Sequence, residues 1–345
     1  MFKIVDLSFF DGMTTSNSRV KIEDYYDRVA LRKALPLLVY RKFAQHRLMP
    51  KNSGKIIRFT RWGRLAPATT PLTEGVTPTG SQLTYSDITA TLQEYGDWVP
   101  ITDQVNLLAI DPILTEAVSQ LGYQEGETLD VLARDALMAG SNAVYAGTAT
   151  GRATVVAALT RKDIDRAVMS LKAAMAKRIT KQVNATVNYS TSPIAPAFIG
   201  ICSVYTEPDI MAMAGFVPVE KYARQNDVME GEFGSVGGVR FISTTQAPSF
   251  ANAGGSVTGD STVMSTGGSK ADVFATIIFG ADAYGEVPLS AMSSAVIIKG
   301  GNQNDRSNTA DPLNQRSSAG WKTFRAFKIL NDLWLVRVEH AVTKL

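Results

Sequence analysis

Apolar residues at Leu114, Val118, Leu121, Leu129, Leu132 and Ala136 are spaced by three or four positions, apart from one gap at Glu125. That period puts them on one face of a helix. Asp111-Pro112 supplies a start signal, an N-cap acid followed by proline at the first helical position, and Gly140 with Asn142 supplies the stop. A helix from 112 to about 139 would be roughly 42 Å long. Gly122 and Gly126 weaken it by about 1 kcal/mol each relative to alanine and predict a bend. A second helix begins at Thr160, with Asp163 placed to favour the N-terminal dipole. Ile164, Ala167, Val168, Leu171 and Met175 form its buried face. Lys162, Asp165, Arg166 and Lys172 point to water. Asp163 and Asp165, two positions apart, face different ways and are expected to be solvated.

Elsewhere the pattern is that of strands. Lys55–Trp62 mixes β-branched and aromatic residues with charge, and a second arm runs from Leu83 to about Val99. Between them lie the twenty residues Gly63–Gln82, punctuated by Pro67, Pro71, Gly75, Pro78 and Gly80 and almost without an apolar run. So long a connection is uncommon inside a compact domain. It predicts a hairpin, between Met49 and Trp98, whose tip projects onto a neighbour, and makes assembly the first functional hypothesis. Ala197–Val204, Val239–Thr244, Phe274–Phe279 and Ala295–Lys299 read as strands, with a short helix near Asp209–Ala214. Ser249–Ser269 reads as a surface loop, residues 1 to about 22 as an arm, and Glu23–Arg47 as helical in parts, interrupted at Pro36. The last strands, Thr323–Leu330 and Leu333–His340 about an Asn331-Asp332 turn, read as a hairpin. The fold class is α+β.

Charge sharpens the assembly hypothesis. Arg19–Arg64 holds thirteen Lys and Arg against three acids, whereas Leu65–Ala133 holds ten acids and no Lys or Arg. The chain as a whole carries only +3, so its total conceals two opposed blocks. Either the blocks neutralise each other within one subunit, or they meet across subunits, where complementary charge steers encounter and fixes register. Arg58, Arg61, Arg64, Glu74, Asp87, Glu94 and Asp97 are the candidate contact residues.

Candidate chemistry is sparse. At 345 residues, 45% hydrophobic and 19% charged, the chain has the make-up of a folded globular protein. No apolar run approaches the roughly 20 residues that span a bilayer, and Met1–Asp6 lacks the features of a secretory signal; assembly in a cytosol is expected. Cys202, the single cysteine, lies in a strand-like apolar run and is expected to be a buried structural thiol. His46 and His340 lack the companion ligands of a metal site. Gly254-Gly255 and Gly267-Gly268-Ser269-Lys270 lack the full phosphate-loop spacing and read as turns. Gly259-Asp260-Ser261 resembles the nucleophile block of an esterase family, but no Asp-x-x-His follows to supply the base. No catalytic residue, cofactor or metal is expected. The basic block allows nonspecific contact with DNA, through its effect on phosphate counterions.

Several blocks carry a family resemblance: Met49–Lys55, Pro71–Pro78, Gln93–Val99, Glu127–Asp130, Phe279–Gly285, Asp311–Arg316 and Gly320–Lys322. In this order, from about residue 20 to the end, the chain resembles the N-four-type major capsid proteins of tailed bacteriophages. The resemblance implies the Hong Kong ninety-seven capsid fold. Expected divisions are an N-terminal arm and entry helix (1–48), an extended hairpin loop (49–102), a peripheral domain with a spine helix (103–160), an axial domain (161–310) and return strands (311–345). It further implies a non-enzymatic protein that assembles as hexamers and pentamers into an icosahedral shell around double-stranded DNA in the bacterial cytoplasm. Separate scaffolding, portal and decoration proteins are the expected partners. An encapsulin-like compartment, or an enzyme with an unrecognised site, is the alternative.

Overall fold

The computed structural model describes residues 38–102, 113–180, 196–222, 228–257, 262–290, 295–299 and 316–344. In chain order the first strands are β1 (Gln45–His46), β2 (Ile56–Trp62), β3 (Tyr85–Thr91) and β4 (Gln93–Thr102). Helix α1 (Ile113–Met138), β5 (Ala143–Tyr145), α2 (Arg161–Ala173), β6 (Phe198–Ser203) and the short α3 (Glu207–Met211) follow. The strands β7 (Val217–Pro218), β8 (Glu232–Val236), β9 (Val239–Thr244), β10 (Ser249–Phe250), β11 (Val273–Phe279) and β12 (Tyr284–Pro288) come next. The last are β13 (Ala295–Lys299), β14 (Arg316–Ile329) and β15 (Leu335–His340).

An eight-stranded sheet in the order β5-β15-β11-β6-β9-β8-β7, with β10 beside β11, forms the main core. Its central strands are apolar on both faces because helices cover both. Phe198, Cys202, Phe241, Ile278, Val336 and Val338 pack with Ile164, Ala167, Val168 and Leu171 of α2. The alternate residues Ile199, Ile201, Ile277, Phe279 and Leu335 pack with Ala133 and Leu137 of α1. This two-faced burial explains why β11 reads as an unbroken run, Val-Phe-Ala-Thr-Ile-Ile-Phe, with every residue buried. Gly200 permits the closeness of β6 and β9: a Cβ there would lie 2.7 Å from the Phe241 ring.

A second sheet is built around β14. Strand β4 lies along one edge, pairing Gln93–Thr102 with Arg316–Arg325; β12 and β13 share the other, and β1 extends it from β12. The N-terminal half of α1 covers one face, Leu114, Val118 and Leu121 meeting Tyr95, Ala319 and Trp321. One 26-residue helix, roughly 39 Å long, thus ties both sheets together. It runs unbroken through Gly122 and Gly126, and at Gly126 a Cβ would lie 3.0 Å from Leu38. The predicted Asp111-Pro112 cap lies outside the described residues.

Several expectations are corrected. The last two strands exist but do not form a hairpin: β14 belongs to the second sheet and β15 pairs with β11 and β5. The one-turn 3₁₀ segment Asp332–Trp334 carries the chain from one sheet to the other. Anchors hold it there, with Leu330 and Asn331 N–H donating to the Ala283 carbonyl at 2.8 and 3.1 Å and Trp334 Nε1 to the Ala174 carbonyl at 3.0 Å. Residues 38–47 are not helical; a turn leads into β1, and the buried Asp130 carboxylate accepts from Val39 and Arg41 N–H at 3.2 and 3.1 Å. Residues 1–37 lie outside the described residues.

Asp163 is buried, not solvated. Its carboxylate accepts from Thr160 N–H at 3.0 Å and Thr160 Oγ1 at 2.6 Å and pairs with Arg166. α2 ends at Ala173, so Met175 is exposed and lies beyond the apolar face. The 249–269 stretch is not a free surface loop. Ala253 and Val257 pack against Val155, Ala271, Val273 and Ala341, and Gly254 and Gly255 N–H bond to Ala271 and Val155 carbonyls at 2.9 Å. Gly259-Asp260-Ser261 lies outside the described residues.

Candidate inter-subunit surface

The β2–β3 hairpin is anchored at its root and bare beyond it. Ile57 and Phe59, with Ala90 across the ladder, join Met49, Leu92, Val287 and Ala326 in a small apolar cluster. Past Phe59 and Ile88 every residue is exposed, through the whole of the 63–84 loop. Only seven residue pairs, Ile56↔Thr91 to Trp62↔Tyr85, form the ladder. The predicted second arm therefore divides at Leu92: its second half, β4, pairs with β14 instead. Trp62 and Tyr85 close the ladder, ring centroids 5.6 Å apart, and Gly63 N–H donates to the Thr84 carbonyl at 2.7 Å. Beyond that point, apart from the Arg64 side chain, the hydrogen bonds among the described residues are local turns, such as Val76 N–H to the Thr73 carbonyl at 3.2 Å, with Gly75 at φ +78°. Leu72 and Val76 are 77% and 62% exposed.

The seven candidate residues do not form one cluster. Arg58 and Asp87 pair within the hairpin at 3.7 Å, and Thr60 Oγ1 donates to Asp87 at 2.9 Å. This is a contact between the two charge blocks inside one chain. Arg61 and Arg64 turn towards the body, donating to Asn331 Oδ1 at 2.9 Å and Met175 Sδ at 3.3 Å. Glu74 stands at the loop apex. Glu94 and Asp97 lie on β4, three positions apart and so on opposite faces. Glu94 pairs with Lys322. Asp97 accepts from Gln124 Nε2 at 2.6 Å and Trp98 N–H at 2.8 Å, and those hydrogen bonds, Gln124's foremost, hold its carboxyl below the usual range.

Two features escaped the sequence reading. The first is a buried ionic centre on Glu286, which accepts from Arg41 Nε at 2.8 Å, Arg325 Nη1 at 2.9 Å and His46 Nδ1 at 2.9 Å. Burial pulls the Arg325 pKa down, and Glu286 opposes it. The second is an open sheet face opposite α1, where Trp98 lies over Gly320 beside Ile297. A Cβ on Gly320 would come within 2.9 Å of Trp98 Cβ. A tryptophan among acids was the one sequence signal for this face; the Glu286 centre gathers residues too far apart in sequence to leave any.

Cys202 and His340 both lie inside the core. Cys202 is buried, and burial pushes its thiol pKa well up. His340 is buried against Thr276 Oγ1 at 2.8 Å, and burial lowers its pKa. Among the described residues no group of His, Cys, Asp and Glu is disposed to hold a metal, and no helix is long and apolar enough to cross a membrane.

The chain thus has two main sheets tied by one long helix, and a bare loop on an anchored hairpin. A family model described as phage capsid protein matches residues 85–338, and the chain belongs to that family. Solved structures share the fold. The capsid of Ralstonia phage GP4 matches at TM-score 0.65 and 12% identity, covering 95% of this chain and 99% of that one. The capsid of cyanophage P-SCSP1u matches at TM-score 0.61 and 12% identity, covering 96% and 97%. The acid-stable capsid of Helicobacter pylori bacteriophage KHP30 matches at 0.61 and 12%, covering 99% and 100%. A comparison with curated proteins gives no match. The fold is the α+β capsid fold of the Hong Kong ninety-seven type, and the protein is a phage major capsid protein, a structural component of the virion that forms the shell.

Proposed function

We propose that copies of this chain associate as hexamers and pentamers into a closed icosahedral shell around the double-stranded DNA of a tailed bacteriophage. The 63–84 loop of each copy lies on a neighbour. The observation that carries this reading is the loop itself: about twenty residues exposed throughout, with Leu72 and Val76 bare beside a lone acid. Long loops with few contacts to their own core persist where they serve another purpose. The division into arm and entry helix (1–48), extended loop (49–102), peripheral domain (103–160), axial domain (161–310) and return strands (311–345) is part of the proposal. So is contact between the basic and acidic blocks of neighbouring copies through Arg58, Arg61, Arg64, Glu74, Asp87, Glu94 and Asp97. Assembly takes place in the host cytoplasm with separate scaffolding, portal and decoration proteins, and basic residues touch packaged DNA without reading its sequence. The chain acts without catalysis.

Deletion of Ala66–Gly80 tests the central point. Soluble, folded subunits that make no shells by electron microscopy are expected. Normal closed shells from the deletion would overturn it.

A further inference from the structure

At the root of the hairpin a groove of about 790 Å³ runs between β2 and the β14–β15 crossover. Arg47, Arg58, Arg61 and Arg64 line it, against one acid, Asp282, with Leu333 and Trp334 in its apolar wall. The arginines are poorly satisfied for such a concentration of charge. Arg61 has a neutral amide oxygen, Arg64 has a thioether, a weak acceptor, and Arg58 reaches Asp87 only at 3.7 Å. Among the described residues no carboxylate pairs with Arg47, Arg61 or Arg64. The groove is built for a carboxylate flanked by apolar groups.

The exposed 63–84 loop carries such an element. Between Arg64 and Asp87 the only charged residue is Glu74, at the apex of the loop, with Leu72 and Val76 two positions to either side. A turn closed by Val76 N–H on the Thr73 carbonyl lies within this five-residue knob. Glu74 makes no ion pair with its own chain among the described residues. From Gly63 to Glu74 is 11 residues, a reach of up to about 35 Å when extended.

We infer that the Leu72–Glu74–Val76 knob of one copy seats in the arginine-lined groove at the hairpin root of another. Its carboxylate meets Arg61 and Arg64, and its apolar residues meet the Leu333–Trp334 wall. This rests on the proposed shell assembly and adds the receiving site. Nucleic-acid phosphate matches the charge of the groove but offers nothing to the apolar wall, so a second copy is the occupant the surface favours. The contact also fixes direction, because knob and groove differ and one copy can give its knob to one neighbour while accepting from another.

Cysteine cross-linking tests it, since Cys202 is buried and silent. Glu74→Cys chains and Arg64→Cys chains are mixed, assembled and oxidised. An inter-chain dimer is expected at about tenfold or more over a mixture of Glu74→Cys with the exposed Met169→Cys, because held neighbours have a high effective concentration. Particles that form without that excess overturn the inference and leave shell assembly standing. Absence of particles from the unaltered protein overturns shell assembly itself, and the inference with it. If the cysteine chains do not assemble, charge reversal decides: Glu74→Arg should abolish assembly and Arg61→Glu with Arg64→Glu should restore it in the same chain. Unchanged assembly of Glu74→Arg, or no restoration, overturns the inference. Alkylation of Arg64→Cys that duplex DNA blocks and assembly does not would assign the groove to DNA and overturn it equally.

Discussion

Leu137 tests whether the long helix is a tie between two cores. Its side chain is fully buried among Ile199, Ile201, Phe279 and Leu335, where the C-terminal end of α1 meets the eight-stranded sheet. Truncation to alanine removes about three carbons at about 0.8 kcal/mol each, so lost transfer energy alone amounts to about 2.4 kcal/mol. The sheet is hydrogen-bonded on both sides of the site and collapses little, so a cavity term adds to this; the expected loss is about 3–4 kcal/mol, within the range for buried leucines. Leu72→Ala is the control. At 77% exposure it should stay within about 0.5 kcal/mol of the parent in subunit stability, yet slow shell formation. Urea unfolding of unassembled subunits, read as a midpoint shift at unchanged slope, measures the first quantity. Light scattering during assembly measures the second. A loss below about 0.5 kcal/mol for Leu137→Ala would refute the helix register. A loss above about 1 kcal/mol for Leu72→Ala would mean that the loop packs on its own subunit.

Assembly rate should fall as salt rises, because the Debye length shrinks from about 30 Å at 0.01 M to about 3 Å at 1 M; salt-independent kinetics would remove charge matching from the mechanism. Asp163 and Glu339 should make the subunit acid-sensitive: burial raises both pKa values, but hydrogen bonds and charge from Thr160 and Arg166, and from Arg152 and Arg337, outweigh it and hold them below normal. Their folded pKa lies under the unfolded one, so the stabilisation is present above about pH 4 and is lost as pH falls through the folded values. Asp163→Asn with Glu339→Gln should flatten the stability profile in that window; an unaltered slope would show that other groups carry it. Cys202 should resist thiol reagents in the native subunit and react once unfolded in denaturant, and rapid native labelling would contradict its burial.

The chain's local features were legible because their causes are local. The three-and-four spacing from Leu114 to Ala136 is a property of one helix face, so α1 could be read nearly to its ends. The prolines and glycines of 63–82 deny that stretch regular structure wherever it sits, and the apolar run Phe274–Phe279 reads as a strand whatever covers it. Even the shared blocks were visible as order along the chain.

Pairing was another matter. Alternation in Leu333–His340 is satisfied equally by a hairpin with Thr323–Leu330 or by a place between β5 and β11, and only the competition among all strands decided for the second. The same competition split the hairpin's second arm at Leu92, giving β3 to β2 and β4 to β14. Burial of charge was equally invisible. Asp163 became a buried acceptor because Thr160 and Arg166 converge on it, and Glu286 gathered Arg41, His46 and Arg325 from remote parts of the chain. Periodicity records which face of an element shuns water; which partner meets that face, and which charges can be buried there, depend on free energies summed over contacts that exist only once the chain has closed on itself.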